Sequence, residues 1–347
     1  MPRRRTPRPG PDPTRDPRLD GGAVEMFMQP IVDLASGRAI VLEALARLRR
    51  PDGSIVAAAQ FVPGLDHDEL DTLFIIALDL SLASLAHWNS LGIDVDISVN
   101  LDPSTLSNAR CSVWVNDALL RHGIAPERLV LELLETRAID TAAQVVAIDA
   151  IGGLGVRIAI DDLGSGHSTV ERLEHFDFDV IKIDSGAHSA FPQAPTSTLS
   201  SLSALIGLSE NLERPSVVEG LESLDMFAVV ALLGAELGQG YAIAHPMPAG
   251  DVPAWIAESG PLVDLEHLTT FSSTLAYHWL HRGSAAHPGT VEACPITRFL
   301  AADEEATLLA GWHAAQHGTP RFDSSEFAQQ LSDWLSAHVV SDGAKTA

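Results

Sequence analysis

The sequence predicts a (β/α)₈ barrel with one antiparallel strand, followed by a small all-helical domain, and three observations carry that prediction. Eight short apolar runs rich in β-branched residues alternate with longer amphipathic stretches between residues 26 and 244, the rhythm of a barrel of strands wrapped in helices. The first two runs are joined by the tight turn Ala35-Ser36-Gly37-Arg38. That leaves no room for a crossover helix, so the pair must be a hairpin and one strand must oppose the others. Prolines and glycines crowd residues 246–261, where the strand rhythm stops, which places a boundary near Gly260.

The expected strands are residues 26–34, 39–48, 94–101, 129–135, 156–164, 178–185, 215–222 and 236–244. Between them, 68–92, 112–123, 141–155 and 196–213 carry apolar residues at i, i+3 and i+4 spacing, the stripe of an amphipathic helix, and several end near glycine. Residues 24–250 therefore form the barrel, and 260–340 read as helical. Residues 1–23 hold six arginines and six prolines without an apolar core segment. They read as a disordered basic tail, either a flexible leader or an arm for an anionic partner, and not as a secretory signal.

Composition narrows the function classes. The 347 residues are 46% hydrophobic, enough for a sizeable core. The formal charge of −24, from 46 acids against 22 bases, excludes general DNA binding, which needs a basic face. Two cysteines, Cys111 and Cys294, are too few for a disulfide framework and fit a reducing cytoplasm. The most apolar stretch, Leu73 to Trp88, is interrupted by Asp79 and His87, so no membrane span is expected.

Each expected strand ends in polar residues: Glu43, Asn100, Glu132, the pair Asp161 and Asp162, Lys182, Glu219 and Gln239. In a barrel of this class the C-terminal strand ends meet at one mouth. Five carboxylates there raise one another's pKa unless cations neutralise them. Oxygen-only donors favour Mg²⁺ or Mn²⁺ over Zn²⁺. Lys182 is the barrel's one lysine. Asp177, Asp179 and Asp184 read as solvated or capping residues, and Glu222 as structural.

In order along the chain stand Gln29-Pro30-Ile31, Glu43-Ala44-Leu45 with Arg47, Asn100-Leu101, Glu132-x-x-Glu135, Asp161-Asp162-Leu163-Gly164-x-Gly166, Lys182-Ile183-Asp184, Glu219-Gly220-x-Glu222 and Gln239-Gly240-Tyr241. This series resembles the EAL-domain family of cyclic-di-GMP phosphodiesterases over about residues 24–250. The resemblance implies metal-dependent hydrolysis of cyclic-di-GMP to linear pGpG by a two-metal mechanism, with cyclic-di-GMP as substrate and a homodimer as the assembly. It implies metal ligation by Glu43, Asn100, Glu132, Asp161, Asp162 and Glu219. Lys182 would deprotonate or orient the catalytic water, and desolvation with adjacent metals would lower its pKa toward the working range. Gln239 would lie near that water, Gln29 and Arg47 would contact substrate, and Glu135 would anchor the loop after Asp162.

Departures from the family pattern are Leu134, Leu163, His167 and the segment Ser185-Gly186-Ala187. They touch loop packing and dimerisation rather than ligands, so an active enzyme is expected, with a catalytically silent cyclic-di-GMP receptor as the alternative. The C-terminal region holds seven of the chain's fourteen histidines. His267, Cys294, His313 and His317 make a tetrahedral Zn²⁺ set, with His313 and His317 one helical turn apart. The segment loosely resembles the chemoreceptor zinc-binding domain, which implies a structural or sensory Zn²⁺. Ordinary surface and core histidines are the competing reading.

Overall fold

The computed structural model describes residues 23–133, 141–163, 178–265, 267–281, 290–302, 306, 309–311, 313 and 326–346. Strands β1 (Val24–Asp33) and β2 (Ala39–Arg49) form the expected hairpin, in which Asp33 accepts the Ser36 amide at 2.7 Å. The strands β4 (Asp96–Leu101), β5 (Leu129–Leu133), β6 (Arg157–Leu163), β7 (Val180–Ile183), β8 (Ser216–Val218) and β9 (Leu237–Gly238) follow β2 in parallel. Because β9 pairs antiparallel with β1, eight strands close into a barrel whose single reversed member is β1. Two short strands extend the wall, β3 (Ile55–Ala57) on β2 and β10 (Met247–Pro248) on β1.

Period-two alternation sorts each strand into a helix-facing and a lumen-facing set. Leu42 and Ala44, Ile97, Val99 and Leu101, Leu129, Leu131 and Leu133, and Ile181 and Ile183 point outward into the main core. The opposite face carries Ile31, Val41, Val180, Val217 and Leu237, a separate apolar cluster that floors the lumen. Two residues further along those same strands stand Glu43, Lys182, Glu219 and Gln239. On reversed β1 the equivalent step runs backward, to Gln29. The sequence thus stacks a polar layer on an apolar floor by ordinary strand pleating.

The outer helices follow the expected order. They are α1 (Ala58–Phe61), α2 (His67–Ser90), α3 (Pro103–Leu106), α4 (Cys111–His122), α5 (Thr141–Gly152), α6 (Pro195–Asn211), α7 (Leu224–Leu232) and α8 (Val252–Glu258). Helix α2 opens with a reciprocal capping box between Asp66 and Glu69, and α4 ends on left-handed Gly123. Among the described residues α2 is the one helix long and apolar enough to cross a membrane. It buries Leu73, Phe74, Leu78, Leu82, Leu85 and Trp88 in the barrel core, and the Trp88 indole donates to the Ala249 carbonyl at 3.2 Å.

After Gly260 come α9 (Phe271–His281), α10 (Pro295–Ala301) and α11 (Glu326–Thr346). Helix α9 packs on α7, and α11 packs on both α9 and α6. Leu275, Ile296, Leu300, Leu331 and Leu335 belong to the same continuous core as the barrel. Phe271 meets Phe299 and Trp334 edge-on at 5.2 and 5.5 Å, and the Thr270 hydroxyl donates to Asp225 at the start of α7. The expected strand 236–244 shortens to two paired residues. A Cβ on Gly240 would stand 2.2 Å from the Leu221 backbone, so the chain leaves the ladder there and packs directly on the β8–α7 connection.

Candidate active site

The polar layer converges on one ammonium. Lys182 is 2% exposed, and its Nζ donates to Glu132 Oε2 at 2.6 Å and Glu219 Oε1 at 2.5 Å, with Glu43 Oε2 at 3.6 Å and Asp161 Oδ1 at 3.8 Å. Glu43 is itself held by two amides: Gln239 Nε2 donates to it at 2.6 Å and Asn100 Nδ2 at 3.1 Å. The strand register builds this ring, because Asn100 pairs with Glu132 across β4 and β5, and Gln29 faces Glu43 across the β1–β2 hairpin.

Electrostatics divides the carboxylates. Burial pushes Glu132 up to about 8, helped by the neighbouring charges of Glu43 and Asp161, and burial likewise pushes Glu219 up to about 7. Burial would raise Glu43 as well, but Lys182, Gln239 and Asn100 together hold it below the usual carboxylate range. The lowering expected for Lys182 rests on desolvation and adjacent metals, and among the protein's own groups two opposing influences act on it. Burial does act in that direction, yet Glu132, Glu43, Glu219 and Asp161 surround the ammonium and raise it well above its ordinary value.

Glu43, Asp161, Lys182, Glu219 and Gln239 open onto a cavity of about 310 Å³ lined also by Gln29, Ser185, Gly220, Glu222 and Tyr241. Glu222, read from sequence as structural, therefore belongs to the mouth. Its three-residue spacing from Glu219 was the available signal. Gln29 donates to the Ala244 carbonyl at 3.2 Å. Arg47 stands beyond that lining, its guanidinium 5.6 Å from the Phe27 ring centre and bonded to the Ala46 carbonyl. Asp162 lies on β6 but its side chain, like all of Glu135, falls outside the described residues. Asp184 caps the following turn by accepting the Gly186 amide, whereas Asp179 accepts the Ile158 amide at 2.8 Å across to β6.

The match of a family model described as the EAL domain to residues 15–246 settles the ancestry of this barrel. The chain belongs to the EAL domain family. It is 33% identical over 244 residues to an uncharacterized signaling protein of Caulobacter vibrioides, covering 67% of this chain and 29% of that protein. It is 29% identical over 232 residues to the cyclic di-GMP phosphodiesterase RocR of Pseudomonas aeruginosa, covering 66% of this chain and 59% of the relative. Among solved structures, the PaMucR phosphodiesterase in complex with c-di-GMP superposes with a TM-score of 0.63 at 29% identity, covering 68% of this chain and 96% of that one. The chain spans between about three tenths and six tenths of the length of these two curated relatives.

As the side chains stand, no three His, Cys, Asp or Glu among the described residues gather into a metal-holding group. In the EAL barrel this is because the carboxylates turn onto Lys182. The donor set nevertheless fits hard divalent cations. Glu43, Glu132, Asp161 and Glu219 present more negative charge than one ammonium balances, and the buried Oε1 of Gln239 meets no donor among the described residues. The C-terminal set fares differently. Cys294 and His313 are fully buried with Sγ and Nε2 3.2 Å apart, but His267 is exposed and pairs with Asp264 at 2.7 Å. The structure thus buries Cys294 with His313 and leaves His267 at the surface. His317 lies outside the described residues.

Proposed function

We propose that this EAL barrel is a metal-dependent phosphodiesterase that opens cyclic-di-GMP to linear pGpG, under the influence of the C-terminal helices packed on α6 and α7. The observation that carries the reading is the ring of Glu43, Asn100, Glu132, Asp161 and Glu219 around buried Lys182 at the C-terminal mouth. Relatives named as cyclic di-GMP phosphodiesterases support the substrate class.

Glu43, Asn100, Glu132, Asp161, Asp162 and Glu219 would hold Mg²⁺ or Mn²⁺. When bound, such cations lower the pKa of a water and offset the charge of the phosphodiester. Lys182, buried among these carboxylates, would deprotonate or orient the attacking water or donate to a phosphoryl oxygen. Gln239 fixes Glu43 and so the shape of the ring. Arg47, suited to bidentate contact with a phosphate, and Gln29 lie toward the rim, where they meet the nucleotide.

Incubating purified protein with cyclic-di-GMP and Mg²⁺ or Mn²⁺, then separating products by chromatography, tests the reading. Linear pGpG should form, disappear on chelation and return with either ion, while Ca²⁺ supports turnover poorly. Tight nucleotide binding without product under both ions would replace the enzyme with a receptor.

A further inference from the structure

Glu219 differs from the other carboxylates around Lys182 in how it is held. Glu43 and Glu132 are paired on both sides within their strands and Asp161 lies inside β6 at a register irregularity, whereas β8 ends at Val218, one residue before Glu219. Its carboxylate is also the most exposed of the four, at 20%. What grips this residue is the end of β7 and the turn that follows it. The Glu219 amide donates to the Ile183 carbonyl at 3.0 Å, and the Glu219 carbonyl accepts from Nε2 of His188 at 2.6 Å.

His188 is 6% exposed, so this bond is shielded from water. A carbonyl can only accept, so Nε2 carries the proton. The turn is closed by its own hydrogen bonds. Asp184 accepts the Gly186 amide, and the His188 amide donates to the Ser185 carbonyl at 3.1 Å. It packs tightly against the site: Gly220 adopts φ +65°, and a Cβ there would lie 2.4 Å from Cβ of Ser185. A side chain that donates to the backbone of a site carboxylate fixes the direction in which that carboxylate leaves the chain, much as outer hydrogen bonds orient the ligands of a metal centre.

We propose that His188 is a positioning residue for Glu219, holding its peptide so that the carboxylate is presented to the Lys182 centre and to the divalent cation that centre takes. The proposal rests on the metal-dependent reading above and adds to it a residue outside the polar ring.

The test compares His188→Leu and His188→Ala, which lack the donor, with His188→Gln, which keeps one. Two readouts are taken on the full chain: Mn²⁺ affinity by calorimetric titration with MnCl₂, and kcat and KM for cyclic-di-GMP. Far-UV circular dichroism and the thermal midpoint establish folding. Donor-less variants should bind Mn²⁺ about tenfold more weakly and lose about tenfold in kcat with KM little changed, the scale of losing an outer hydrogen bond to a ligand. His188→Gln should recover most of both. Wild-type Mn²⁺ affinity and kcat in His188→Leu would overturn the proposal. So would equal losses in His188→Gln, or failure of both donor-less variants to fold, since either makes the residue purely structural. If the wild type binds Mn²⁺ but makes no pGpG, the catalytic reading fails and the titration alone decides the role of His188. If the wild type binds no Mn²⁺, both fall.

Discussion

Replacing Lys182 with methionine removes the one cation in a buried ring of four carboxylates while keeping the stem's volume, and its cost should depend on pH in a calculable way. In the wild type Lys182 is raised well above its ordinary value, so it is protonated in both folded and unfolded chains between pH 5 and 8 and contributes no slope there. Glu43 is held below the usual carboxylate range chiefly by Lys182, so its stabilising contribution is present above the unfolded pKa and fades as pH falls. Without the ammonium, burial governs Glu43 and raises it. Its contribution then reverses, present in acid and lost as pH rises. Glu132 and Glu219, which the same ammonium holds down against burial, shift up with Glu43, so the folded variant keeps more protons than the wild type as pH rises and loses stability relative to it. Breaking a buried ion pair from one side typically costs about 3–5 kcal/mol. Urea unfolding of both proteins in chelator at pH 5, 6.5 and 8 should show a stability gap that widens steadily with pH. Turnover should fall by about 10² to 10⁴, as for a lost proton-transfer or orienting group, with nucleotide binding largely kept. A gap that is the same at pH 5 and pH 8, or near-normal turnover, would refute the description of Lys182 as the charge around which the ring is built.

Two further substitutions probe packing, one beside that ring and one in the C-terminal helices. Gly240→Ala puts a methyl 2.2 Å from the Leu221 backbone, which cannot yield as a side chain would, so a loss of about 3 kcal/mol or more is expected in urea, together with reduced kcat as Gln239 is displaced from Glu43. A folded variant of wild-type stability would show that the connection is looser than drawn. Cys294→Ala removes the buried partner of His313 and should cost about 1–3 kcal/mol by the same measurement. A change smaller than about 0.5 kcal/mol, the level of an ordinary surface substitution, would deny that contact any weight.

Most of the barrel is legible in the sequence because strand pleating and strand-end polarity are local signals. The hairpin turn at 35–38, the lysine at 182 and the carboxylates two residues beyond apolar lumen positions all announce themselves without knowledge of the fold. The parts that escape depend on long-range approach. The early exit of the chain at Gly240 follows from contact with Leu221, and strands β3 and β10 are only three and two residues long. His188 sits in an unremarkable Gly-Ala-His-Ser stretch, and only the fold brings it to a carbonyl 31 positions away. The direction of the Lys182 pKa also hangs on distance, since desolvation and four surrounding carboxylates oppose each other and the closest contacts, 2.5 and 2.6 Å, decide the sign. In the C-terminal helices histidine spacing alone does not separate the buried Cys294–His313 pair from surface His267.

The apolar floor formed by Ile31, Val41, Val180, Val217 and Leu237 makes the polar layer the top of a blind well. A charged group meets only aliphatic side chains at that floor, so under the proposed activity nucleotide, ions and product would pass through the open polar face, with Tyr241, Glu222 and Ser185 at its edge. A product slow to leave that face would then exclude the next substrate by simple occupancy.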